Sequence, residues 1–205
     1  MTCLPRDLNN AIKDMEGAVT AALNNESSRF LIEFLFEGLK LNNIAFRLYK
    51  LLSQENDVFI LFSDTGSVAL AQRDFPDIKE KFYTFKSFKD SEYITSDNTV
   101  VISISPQPFD FEFFEPMCED FRGIHYSINP KFEDANIGIG SVIRNRRKNF
   151  VNTWQNLYYI QPLDKGALMH IYPSNWSLFR KENELYIHVD NYEIKPDKET
   201  IFVNL

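Results

Sequence analysis

The sequence predicts a three-layer, Rossmann-like α/β fold: a mostly parallel sheet with helices on both faces, continued by an antiparallel strand extension at its C-terminal end. Short, almost unbroken apolar runs recur at 29–36, 58–62, 99–104 and 124–128, as in strands buried on both faces. Between them, apolar residues return every three or four positions, the period of a helix packed by one stripe. Beyond residue 156 the helical spacing stops and strand-like segments follow one another, which implies antiparallel pairing.

The elements follow in order. Leu4, Leu8, Ile12, Met15, Val19 and Leu23 lie on one helical stripe, with Ala11, Ala18 and Ala22 filling in. The run from Arg29 to Phe36 is the first strand. Leu41, Ile44, Ala45, Leu48, Leu51 and Leu52 mark a second helix that Asn42 or Asn43 is placed to cap. Val58 to Phe62 is the next strand, and Ser63-Asp64-Thr65-Gly66 leads into a short helix over 67–72. A strand is expected near 82–88 and a clear one at 99–104. Phe114, Met117, Cys118 and Phe121 recur at helical spacing, with Pro116 tolerable in a first turn. Ile124 to Ile128 reads as a strand ending at Asn129-Pro130. After Gly138-Ile139-Gly140 comes a helix whose stripe is Ile143, Phe150, Val151 and Trp154. The tail reads as strands at 157–163, 167–172, 177–180 and 185–189, with a hairpin turn at Lys181-Glu182-Asn183-Glu184. The whole of 1–205 is expected to form a single α/β domain, with an alternating part over 4–155 and a strand-rich part over 156–205.

Composition removes several function classes. The chain of 205 residues carries a net charge of −7, without the concentrated basic footprint of a duplex-binding protein. No nucleic-acid partner is expected. No apolar run reaches the ~18 residues of a membrane-spanning helix, and no signal or transit peptide is apparent at the start. Cys3 and Cys118 form no CxxC motif, which suits free thiols in a reducing compartment. His125, His170 and His188 share no ligand spacing, and neither GxSxG nor HExxH occurs. Accordingly no metal, cofactor or catalytic residue is expected.

In an open α/β sheet, ligands bind beyond the carboxyl ends of the strands. Here those exits are Glu37-Gly38, Ser63-Asp64-Thr65-Gly66, Ser105-Pro106-Gln107-Pro108 and Asn129-Pro130. Asp64, Thr65 and Gly66 open a helix and either cap it or offer N–H groups to an anion. Gly138 and Gly140 open another, but not as GxGxxG and without a P-loop Lys-Ser/Thr. Arg144, Arg146, Arg147 and Lys148 form the most polarised local run. Arg146 and Arg147 flank its apolar stripe, placed for a structural ion pair or for anion recognition. Glu112, Glu115, Glu119 and Asp120 make an acidic helix face that also carries phenylalanines. Asp64, Asn129, Glu133, Asp134 and Arg146 or Arg147 are expected near one end of the sheet, with an arginine reaching Glu133 or Asp134.

The motifs Asn129-Pro130, Glu133-Asp134, Gly138/Gly140, Tyr158-Tyr159, Pro162-Leu163 and Tyr172-Pro173-Ser174-Asn175-Trp176 resemble a cyanobacterial and chloroplast domain-of-unknown-function family. The stretch LFSDTGSVALAQRDF is similar to that family's upstream strand and Asp-x-Gly segment. The family occurs free-standing, fused behind a chloroplast adenylate kinase, and in a plant factor named for low accumulation of photosystem II. The resemblance implies a phototroph and a non-catalytic role in photosystem II assembly or maintenance. It further implies protein partners, either photosystem subunits or assembly machinery. The implied location is cytoplasmic or stromal, with peripheral thylakoid contact. This chain lacks the adenylate kinase P-loop, so that activity does not transfer. The alternative expectation is a nucleotide- or anion-binding α/β enzyme acting at the carboxyl edge of the sheet.

Overall fold

A computed structural model describes residues 3–23, 27–132 and 141–205. A nine-stranded sheet runs in the order β3 (Phe82–Thr84), β2 (Asp57–Phe62), β4 (Thr99–Ile104), β5 (Ile124–Ile128), β1 (Arg29–Phe34), β6 (Gln155–Leu163), β7 (Gly166–Ile171), β8 (Trp176–Glu182), β9 (Leu185–Tyr192), and the chain divides into two compact units.

One unit comprises Glu26–Leu31 and Lys40–Gln155. It holds the start of β1 (Arg29–Phe34), α2 (Leu41–Leu52), β2 (Asp57–Phe62), α3 (Thr65–Asp74), β3 (Phe82–Thr84) and α4 (Phe85–Lys89). β4 (Thr99–Ile104), α5 (Phe111–Asp120), β5 (Ile124–Ile128) and α6 (Ser141–Val151) complete it. β2 pairs in parallel with β3 and β4, and β4 in parallel with β5. Every residue of β4 is buried, which explains its unbroken apolar sequence. Alternate side chains of β2 serve opposite layers. Ile60 and Phe62 meet Ala45 and Phe46 of α2 and Ala71 of α3. Phe59 and Leu61 join Phe85, Phe88, Phe114, Met117, Phe150 and Trp154, from α4, α5 and the α6 end, in a single buried cluster. Helices therefore cover both faces, as the sequence predicts.

The other unit comprises Met1–Asn25, Ile32–Leu39 and Asn156–Leu205. It contains α1 (Leu8–Ala21), β6 (Gln155–Leu163), β7 (Gly166–Ile171), β8 (Trp176–Glu182), β9 (Leu185–Tyr192) and α7 (Lys198–Asn204). The last four strands pair antiparallel in sequence order. Asn183, with φ of 55°, makes the β8–β9 turn; asparagine tolerates that region. Tyr159, Leu168, Trp176 and Leu178 form this unit's own buried cluster.

Several details differ from expectation. The strand near residue 82 lasts three residues before α4 begins. Thr84 and Ser87 form a reciprocal capping box there, which starts a helix despite the apolar run. Pro116 lies inside α5 rather than in its first turn. Burial of Phe111, Phe114, Met117 and Cys118 on one stripe offsets the lost hydrogen bond, a cost of about 3 kcal/mol. Ile143 is exposed, outside the buried stripe assigned to it. α7 was not anticipated; Asp197 starts it by accepting from the Thr200 amide at 2.8 Å.

Candidate functional site

The topology singles out one place. From β2 the chain turns through α3 to β3, and from β4 it turns the other way through α5 to β5. The carboxyl ends of β2 and β4 thus flank the point where strand order reverses, the usual position of a ligand crevice in open α/β sheets. A cleft of about 300 Å³ lies there. Its polar lining is Asn42, Ser63, Asp64, Ser67, Ser105 and Gln107; Phe62, Leu70, Ile104 and Phe109 supply the apolar part.

Asp110 organises this rim. Its carboxylate, only 6% exposed, accepts from the Ser63 hydroxyl and from the Gln107 amide, each at 2.7 Å. One buried acceptor therefore ties the β2 exit to the β4 exit. The Gln107 side-chain amide donates to the Ser105 carbonyl at 2.6 Å. Ser105, with φ of 45°, donates its amide to the Ile128 carbonyl of β5 at 2.8 Å. A residue outside Gly, Asn and Asp in the left-handed region is uncommon and clusters at functional sites. Asp110 escaped the sequence reading, although Gln107-x-x-Asp110 has capping-box spacing.

Asp64 caps α3: Oδ1 accepts from the Ser67 amide and Oδ2 from the Ser67 hydroxyl, both at 2.8 Å. These bonds hold the Asp64 carboxyl below the ordinary aspartate range. The helix start that would receive a phosphate already holds a carboxylate, so of the two expectations the cap is the one realised. Thr65 and Gly66 are the first residues of α3; a Cβ on Gly66 would approach Asp64 Oδ1 to 3.0 Å. Asn129, with φ of 48°, is buried just beyond β5. Since β2, β4 and β5 are mutually parallel, Asp64 and Asn129 lie at the same end of their strands.

The basic helix makes a different arrangement. Arg146 pairs with Glu115 of α5: Nε donates to Oε1 at 3.2 Å and Nη2 meets Oε2. Arg146 and Arg147 each lie 5.7 Å from the centre of the Phe111 ring. Arg146, Glu115, Glu119 and Arg29 line an open groove that shares no residue with the rim cleft. The acidic partner of Arg146 is therefore on α5, while Glu133, Asp134, Gly138 and Gly140 lie outside the described residues. Glu115 also leaves the acidic face, because its side chain is 9% exposed. Arg146→Ala should cost about 1–3 kcal/mol by leaving this carboxylate buried without its partner. Chemical denaturation measures that loss, and Glu115→Gln in the same chain should recover part of it.

Exposed residues of α5 and the turn before it form a continuous strip. Phe109 is 71% and Phe113 52% exposed. At helical spacing Glu112, Glu119 and Asp120, all exposed, share their arc. Behind this strip, Cys118 Sγ lies 3.4 Å from His125 Nδ1 and Ser103 Oγ 3.0 Å from His125 Nε2. All three residues are buried. Burial pushes the Cys118 thiol well above its ordinary range, so this relay holds the core together and offers no activated nucleophile. Among the described residues, no group of three or more His, Cys, Asp or Glu side chains is placed to hold a metal ion. Nor is any described helix long and apolar enough to cross a membrane.

Residues 5–202 match the family described as "Domain of unknown function (DUF1995)". No curated protein matches the sequence. The match takes in nearly the whole chain, which belongs to that family.

Proposed function

From this family membership and the geometry of α5, we propose that the chain is a non-catalytic binding factor. It assists photosystem II assembly or maintenance by engaging protein partners at the thylakoid surface. The observation that carries this reading is the exposed pair Phe109 and Phe113 among the carboxylates of Glu112, Glu119 and Asp120. Aromatic side chains grouped on a surface are enriched at protein interfaces. Surrounding carboxylates steer a basic partner segment to them. The photosynthetic setting rests on the motif resemblance, from Asn129-Pro130 to Trp176, to the free-standing cyanobacterial proteins and the plant factor for photosystem II accumulation. In that setting the protein works on the cytoplasmic or stromal side, touching the thylakoid peripherally.

The rim cleft favours a second reading, a small-ligand or nucleotide-binding enzyme acting at the carboxyl edge. Its supporting observation is the ~300 Å³ cleft at the strand-order reversal. Against a phosphate ligand stands Asp64, which occupies the α3 start with negative charge.

Affinity capture from thylakoid extract tests the first reading. Recovery of photosystem II subunits or assembly machinery, reduced at least about tenfold by Phe109→Ser with Phe113→Ser, is the expected result. Capture of neither, with unchanged photosystem II levels in a deletion strain, contradicts it. A thermal-shift panel of nucleotides and sugar phosphates tests the second. A ligand at 100 times its Kd adds about 2.7 kcal/mol, and Gln107→Ala should abolish that gain.

A further inference from the structure

An apolar pocket lies apart from both the rim cleft and the α5 strip. It lies between the start of α1 and the β6–β7 face, with a volume of about 330 Å³. Ile160, Pro162 and Ala167 form its wall; Pro162 and Ala167 are register partners, so they point to one face. Ala11 of α1 closes the opposite side, and Phe36 and Tyr186 complete the lining. The space exists because two inward positions carry alanine: Ala11 and Ala167 are both buried.

The mouth is charged on one side. Arg6 and Asp7 both lie there, but Asp7 is committed to capping α1, accepting from the Asn10 amide at 2.8 Å. Arg6 makes no hydrogen bond or ion pair among the described residues. An unpaired guanidinium at the opening of an apolar cavity suits a molecule with a hydrocarbon tail and a carboxylate head. The volume is about twice that of a ~150 Å³ cavity that accepts benzene, which corresponds to a tail of roughly ten to twelve carbons.

We infer that this cavity binds a single-chain anionic amphiphile, a medium-chain fatty carboxylate, with its tail between Ala11 and Ala167 and its head at Arg6. The site is independent of the partner-binding reading, because none of its residues lies on α5 or lines the rim cleft. Tail burial makes affinity rise about three- to fourfold per methylene, and the rise stops when the cavity is full.

Calorimetric titration of the purified protein with hexanoate through tetradecanoate, each below its micelle concentration, tests this. The expected result is one saturable site whose affinity climbs and levels near ten to twelve carbons. The alcohol of equal length should bind about three- to fivefold more weakly, since an exposed charge pair contributes little more. Arg6→Gln should erase that head preference while leaving alcohol binding unchanged. Ala11→Leu and Ala167→Leu should each fill the cavity and abolish binding, and melting curves identify which variant remains folded. No saturable binding of monomeric carboxylate, or full binding by a folded Ala→Leu variant, would overturn the assignment. So would binding to phosphatidylcholine vesicles without binding to monomeric carboxylate.

Discussion

His125→Phe should flatten the acid limb of this protein's stability curve while lowering stability near pH 8 by about 2–3 kcal/mol. The imidazole is buried on β5, with its nitrogens facing Cys118 Sγ and Ser103 Oγ. Its ring lies edge-on to Trp154 at 4.9 Å and near Phe114 at 5.3 Å. Burial, and secondarily the charge of Arg29, hold its pKa down at about 3. The unfolded chain returns it to the ordinary 6.5. Between those values the unfolded state binds a proton that the folded state refuses. The histidine's contribution is therefore full above about pH 6.5 and is lost as pH falls toward about 3, by up to about 1.4 kcal/mol per pH unit. Urea titrations at pH 5 and pH 8 measure the difference. It should shrink by roughly 1–2 kcal/mol in the variant; an equal difference in both proteins would show that the imidazole is not held neutral. The loss near pH 8 has a separate origin, since Ser103 and Cys118 are each left without a buried partner.

Gly166→Ala should cost about 3 kcal/mol or more. Gly166 opens β7, opposite Arg180 of β8, and a Cβ there would stand 1.9 Å from the Phe179 carbonyl oxygen and 3.0 Å from its carbon. The obstacle is backbone within a paired sheet, which cannot rotate aside as a side chain can. At this chain length such a loss lowers Tm by roughly 6–12 °C. Gly17→Ala supplies the contrast. Gly17 is inside α1 with nothing within 4 Å of an added Cβ, so alanine should stabilise by about 0.5–1 kcal/mol. A melting scan of both variants decides; similar small shifts would mean that β7 and β8 are not packed this closely.

The buried strands were legible because β2, β4 and β5 bury almost every side chain, which forces short, mostly apolar runs. Helices α1, α2 and α5 were legible through their stripes, and the antiparallel tail through the absence of such stripes. Elsewhere a specific interaction outweighed the pattern. The Thr84–Ser87 capping box turned an apparent strand into a helix. The stripe of α5 carried the helix through Pro116. Asp110 looked like one more acidic loop residue, yet it anchors the rim through contacts across 47 residues of sequence. Glu115 looked like part of a solvated face, and its pairing with Arg146 spans 31 residues. Long-range partners of this kind leave no mark on the chain's periodicity. The shared rim of Asp64 and Asn129 needed only parallel strands, and so followed from the order of elements.

The most direct test of the partner-binding account is photo-crosslinking from position 113. A benzophenone amino acid replaces Phe113, which is 52% exposed and outside the buried cluster beneath α5. The protein is then irradiated in thylakoid extract, with the same probe at exposed Leu185 on β9 as the control position. The account predicts adducts with a photosystem II subunit or an assembly component from position 113, absent from position 185 and competed away by unlabelled protein. Equal labelling from both positions, or no adduct with any photosystem II component from position 113, would contradict it.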